Sequence, residues 1–236
     1  MSKITACGYV LLAICIFIAS SCTTIESYVE NADTDYTKSP ITLEHSLVHR
    51  TITLGNYSLS LVKSLNRQED LPKTGIFDLF TNDSATISGG KYKFTKDKDV
   101  LCDVYIYAKT KEQKKGKQTI QSVSRYIAIV KGSKDIQEYE IAHRLGSNTI
   151  LSITNKEFTI EIADYALSNN KVVNNLKVLT GYKILINGTE HGVLALYKSP
   201  ILYELKASPV DDPNLNDYVF LSTLVAYENW AQQSNK

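Results

Sequence analysis

The chain has 236 residues, 26 Lys and Arg against 25 Asp and Glu for a net charge of +1, and 43% hydrophobic residues. These are the proportions of a folded body, and they exclude a polytopic membrane protein, a disordered charged tail and a disulfide-dense miniprotein. The near-neutral balance also argues against a dedicated nucleic-acid binder, which carries a basic excess. Lys3 followed by the apolar run 10–19 reads as a secretory signal occupying residues 1–21. That run is shorter than the roughly 20 residues a helix needs to cross a bilayer.

The apolar run ends in Ala19-Ser20-Ser21-Cys22, small residues set directly before a cysteine. This resembles the lipobox of bacterial lipoproteins. Ala19 stands where leucine is commoner, and that looser pattern is similar to spirochaete and Bacteroidetes lipoproteins. The resemblance implies cleavage between Ser21 and Cys22 and acylation of the Cys22 thiol. It also implies a lipid-anchored place in a bacterial cell envelope, at the outer membrane in preference to the inner. Each buried acyl methylene contributes about 0.8 kcal/mol, so the two or three chains typical of such proteins anchor stably. Cys7 and Cys15 leave with the signal, which makes Cys102 the single interior cysteine of the mature chain. No disulfide between mature side chains is then expected.

Residues 22–45 are rich in Ser, Thr, Asn and Asp, include Pro40 and hold no period of 2 or 3.6, so they are expected to form a flexible tether after the lipidated cysteine. Residues 46–236 are expected to form a β-rich globular domain. Residues 50–54 and 57–61 alternate on either side of the turn dipeptide Gly55-Asn56. Residues 91–94 and 100–107 flank a second turn at 96–99, and 119–130 follows across a lysine-rich loop. Residues 135–143 place Tyr139, Ile141 and His143 on one face, and 149–154 and 157–163 flank Asn155-Lys156. Residues 176–186 and 193–197 flank Asn187-Gly188, the dipeptide of a type I′ turn. About ten short strands without an intervening helix predict a mainly β fold, an antiparallel β-sandwich, with an open barrel as the alternative. A C-terminal helix is expected over about 216–234, capped by Asn216 or Asp217. Phe220, Leu221, Leu224, Val225, Tyr227 and Ala231 share one of its faces, with Ser222 and Asn229 opposite. Such a helix is expected to pack on the sandwich or cover an edge strand.

Motifs that carry chemistry are scarce. His45 and His49, after Glu44, have the spacing of two metal-binding imidazoles. Ser46, however, stands where a zinc protease needs glutamate, and no third ligand follows. Asp212 to Asn216 imitates the start of a calcium loop, but Asp217 replaces the glycine and Thr223 the final glutamate, so helix capping accounts for it better. There is no G-x-S-x-G elbow. Cys102 shares a strand face with Val100, Val104 and Ile106, the setting of a buried thiol. His143 and His191 have no signature linking them to a serine, and the adjacent pair Asp211-Asp212 defines no separation across a glycosidic bond. No catalytic residue, metal or cofactor is therefore assigned.

Two binding features remain. Lys109, Lys111, Lys114, Lys115 and Lys117 fall within nine residues and are the candidate contact to an anionic surface. Tyr105 and Tyr107, on the face opposite Cys102, are candidates for stacking on sugar rings. The expected function is a lipid-anchored, non-catalytic envelope lipoprotein acting by binding or structural contacts. The alternatives are a glycan-binding β-sandwich module and, behind it, a small periplasmic hydrolase. The expected partners are the membrane, through N-terminal acyl chains, and an envelope protein, glycan or anionic surface, with no nucleic acid.

Overall fold

A computed structural model describes residues 34–45, 50–66, 86–115, 118–131, 135–141, 149–165, 181–196, 199–207 and 210–234, with 111–115 and 118–121 described as backbone. The signal segment, Cys22, His49, Lys117 and His143 lie outside the described residues. The described strands are β1 (Tyr36–His45), β2 (Arg50–Leu54), β3 (Tyr57–Leu65), β4 (Thr86–Lys96), β5 (Asp99–Lys115) and β6 (Gln118–Lys131), then β7 (Asp135–Ile141), β8 (Thr149–Thr154), β9 (Thr159–Tyr165), β10 (Gly181–Ile186), β11 (Thr189–Ala195) and β12 (Ile201–Leu205). One helix follows, α1 (Pro213–Ser234).

The twelve strands form a closed antiparallel barrel, which corrects the expected sandwich while keeping the mainly β class. Each strand pairs with its neighbours in sequence, and β1 closes the ring. Its first half, from Tyr36 to Pro40, pairs with β12, and its second half, from Ile41 to His45, pairs with β2. Pro40 sits at the changeover between the two partners, where a missing N–H is tolerated. Tyr36–His45 thus forms a barrel strand where the sequence suggested the end of the tether. Closure leaves no edge among these elements, whereas a sandwich must protect several.

The second reason the sandwich fails is α1. In a sandwich the facing sheet supplies the other half of the core. Here the helix supplies it from inside the barrel, and it neither lies on the outer wall nor covers an edge. Every residue from 221 to 229 is buried, Ser222 and Asn229 among them. A helix buried on all sides must be surrounded by the fold. Its side chains join one core cluster with inward residues from around the ring, including Ile52, Leu59, Tyr92, Val104, Ile129, Ile153, Ile162, Ile184 and Leu202. An eight-stranded barrel is filled by its own side chains, but twelve strands enclose a wider lumen, which a helix about 10 Å across can occupy. The hydroxyls this burial would orphan bond backwards within the helix: Ser222 Oγ donates to the Tyr218 carbonyl at 2.7 Å and Thr223 Oγ1 to the Val219 carbonyl at 2.8 Å.

The barrel has a sidedness. The main core points inward, and the outer wall carries ion pairs such as Lys91–Asp103 and Lys183–Glu190 beside two smaller apolar clusters, around Tyr107 and around Val193.

The two rims also differ. The turns at Gly55-Asn56, Asp97-Lys98, 155–158 and Asn187-Gly188 all lie at one rim, here termed proximal. The chain enters β1 at that rim, where the Lys206 N–H donates to the Asp35 carbonyl and Lys206 Nζ to the Thr34 carbonyl, each at 2.9 Å. The helix starts there too. Asp212 caps it by accepting from Asn214 N at 2.9 Å, with Pro213 as first helical residue, so the cap is Asp212 and not Asn216 or Asp217. Running about 33 Å, α1 then reaches the distal rim.

Candidate functional site

At the proximal rim, the first turns of α1 and the β4–β6 wall leave a half-open cleft of about 110 Å³ lined by Phe94, Leu101, Cys102, Lys131, Asp217, Tyr218 and Leu221. A bulge shapes it. Phe94 pairs with Cys102 but Thr95 pairs with Val100, so Leu101 is an extra residue turned into the cleft wall. The same shift exposes Val100, which therefore does not share the inner face with Cys102, Val104 and Ile106. The Cys102 thiol is buried and its pKa is pushed up to about 12 by desolvation, so it stays protonated and unreactive at neutral pH. Asp217 accepts from Tyr57 Oη at 2.7 Å and from Lys96 Nζ at 3.0 Å, and the Tyr57 hydroxyl and this carboxylate hold the Lys96 ammonium above its usual range. Lys131 Nζ sits 4.3 Å from the centroid of the Tyr218 ring, a cation–π contact.

At the distal rim, a polar group crosses the lumen. The Glu228 carboxylate accepts from Arg50 Nε at 2.9 Å, Tyr92 Oη at 2.7 Å and Gln232 Nε2 at 2.8 Å. Asn229 Oδ1 accepts from Arg125 Nη1 at 2.8 Å. Burial pushes the Tyr92 hydroxyl well above the usual tyrosine range, and the neighbouring carboxylate adds to this. A carboxylate that accepts three hydrogen bonds inside a filled lumen is a fastener, with no access for a substrate. Neither Arg50 nor Glu228 was singled out from sequence. The available signal was an acidic residue within an otherwise apolar helical run, which requires a cationic partner once the run is buried.

The five lysines do not share a loop. β5 and β6 stay in register out to Lys115 and Gln118, so Lys111, Lys114 and Lys115 lie on a strand and Lys117 falls outside the described residues. Lys109 is buried on the outer wall, over the rings of Tyr107 and Tyr126 and 3.9 Å from Glu138. Beyond Thr110, where β4 pairing stops, and Arg125, where β7 pairing stops, the two strands continue past the ring as a ribbon at the distal rim. Tyr105 and Tyr107 lie on the wall face opposite Cys102, but both are buried in an outer cluster with Leu65, Ile87 and Ala128, so they form no open stacking row.

The two described histidines lie apart. His45 ends β1 and is exposed, while buried His191 lies 3.6 Å from Glu204 on β12. Among the described residues no group of three His, Cys, Asp or Glu gathers as a metal site would require. Comparison with protein-family models, with curated proteins and with solved structures finds no match for this chain.

Proposed function

We propose that the chain is a lipid-anchored, non-catalytic bacterial envelope protein that holds its barrel on acylated Cys22 and acts by binding at the rim facing away from the anchor. The observation that carries this reading is the opposition of the two rims. The chain enters at the proximal rim beside Lys206, and the β5–β6 ribbon with Lys111, Lys114 and Lys115 leaves the distal one. Cys22 precedes Asp35 by thirteen residues, which extended reach about 45 Å. A helix in the lumen supports recognition through the outer surface instead of an enclosed ligand chamber. The buried Tyr105 and Tyr107 weaken the glycan-platform alternative.

Two measurements test this. Cys22→Ala should abolish incorporation of labelled palmitate and leave an uncleaved precursor; undiminished labelling would overturn the anchor. In a form beginning at Thr23, which lacks the acylated cysteine, replacing Lys111, Lys114, Lys115 and Lys117 together by Gln should remove salt-sensitive retention on anionic vesicles, because such attraction decays within about 8 Å at physiological ionic strength. Equal retention of both proteins across a salt series would remove the ribbon from the contact.

A further inference from the structure

The proximal cleft presents a cation, Lys131, that forms no ion pair among the described residues. Asp217 is committed to Lys96 and Tyr57. None of the ion pairs among the described residues includes Lys131, whose contact is the face of the Tyr218 ring. Behind it the walls are apolar: Phe94 and Leu221 are buried, Leu101 packs against the core, and the Cys102 thiol is neutral. An ammonium beside a largely apolar slot is the arrangement that recognises an anionic head with an apolar chain, since the bound chain displaces water from beside the charge pair. The cleft's 110 Å³ is room for a carboxylate with a short carbon chain.

We propose that this cleft binds a small aliphatic monocarboxylate, its head on Lys131 and its chain against Phe94, Leu101 and Leu221. Asp217 on the same wall repels a second negative charge, so the site prefers monoanions to dianions. The Tyr218 ring holds the lysine head over the slot, which reduces the side-chain entropy lost on binding. The site uses no part of the anchor or of the distal ribbon, so it stands or falls separately from them.

Isothermal titration of the full chain in phosphatidylcholine nanodiscs with sodium pentanoate, blanked against empty nanodiscs, provides the test. A ligand this small is expected to saturate in the millimolar range. 1-Pentanol and glutarate should each bind about tenfold more weakly, a loss of about 1.4 kcal/mol. Lys131→Gln should weaken pentanoate about tenfold, Lys131→Arg should largely preserve binding, and Leu101→Trp, which fills the slot from its partly exposed wall, should abolish it. The absence of saturation, equal binding of acid and alcohol, or unchanged affinity in Lys131→Gln would each overturn the proposal. If a variant does not fold, the comparison of acid, alcohol and diacid on the unaltered chain decides.

Discussion

Arg50 on β2 and Glu228 on α1 meet at 2.9 Å inside the barrel, joining its wall to the helix that fills it. The glutamate side chain is 1% exposed and the arginine 14%, so water screens the pair little. Removing one partner strands a buried charge, at a cost of about 3–5 kcal/mol. Glu228→Leu and Arg50→Met should therefore each destabilise strongly, and the double variant should recover much of the loss because two apolar side chains of similar volume replace the pair. A double-mutant cycle by urea denaturation measures this. Additive losses would mean that the two residues act independently.

Local chemistry was legible in the sequence wherever the determinant lies within a few residues. Asn187 and Gly188 do adopt positive φ, 51° and 78°, as a type I′ turn requires. Phe158, Ile160 and Ile162 point together as their alternation suggested. What could not be read locally is the decision between sandwich and barrel, because the same alternation serves both and only the pairing of β1 with β12, across some 160 residues, closes the ring. β1 itself was hidden because its outer positions are polar, with only Ile41 buried. The helix was visible, yet its location was not: Ser222, Thr223, Glu228 and Asn229 suggest a wet face until back-bonding answers the two hydroxyls and the arginines reach the Glu228 carboxylate and Asn229 Oδ1. Cys102, Asp217 and Leu221 were noticed for other reasons, but the cleft was not, because Lys131 and Asp217 are 86 positions apart and come to line one cleft only through the barrel.

The proximal turns give a prediction of opposite sign at two sites. Asp97 and Lys98 hold φ of 50° and 76° without glycine, and the turn is tied down by Asn56 Nδ2 donating to Asp97 Oδ2 at 2.9 Å. Lys98→Gly should relieve strain and stabilise by about 0.5–1 kcal/mol. Gly188→Val should destabilise by about 1 kcal/mol or more, through backbone strain alone, since a Cβ there meets nothing within 4 Å. Denaturation midpoints moving in the same direction for both variants would contradict the two turn assignments.

Gly89 is needed for space. A Cβ on it would collide with the Ile106 carbonyl oxygen and Tyr107 Cα, both backbone atoms of the neighbouring strand. β4 and β5 would have to separate where they carry Ile106 inward and Tyr107 outward. Gly89→Ala should then cost about 2–4 kcal/mol, well above the Gly188 change, with a loss of near-ultraviolet tyrosine signal. A cost below about 0.5 kcal/mol, the range of an indifferent surface position, would show that the strands do not approach so closely.

Cys102 makes stability depend on alkaline pH in a predictable direction. Burial pushes its pKa from an ordinary 9.0 to about 12. Below pH 9 both folded and unfolded chains keep the proton, and the contribution is fully present. Between about 9 and 12 the unfolded chain releases the proton while the folded one holds it, so the unfolded state binds fewer protons and stability falls as pH rises. One proton corresponds to a slope of about 1.4 kcal/mol per pH unit. Burial raises the hydroxyls of Tyr92, Tyr107 and Tyr182 in the same sense, so the whole barrel should weaken in alkali. Cys102→Val removes the thiol proton and leaves the tyrosines in place. Subtracting its stability profile from that of the unaltered chain should give a difference that is flat below pH 9 and becomes steadily more unfavourable to the cysteine form above it. Profiles that stay parallel from neutral pH to about 11 would show that the folded thiol ionises as easily as the unfolded one, and hence that the floor of the cleft is open to water.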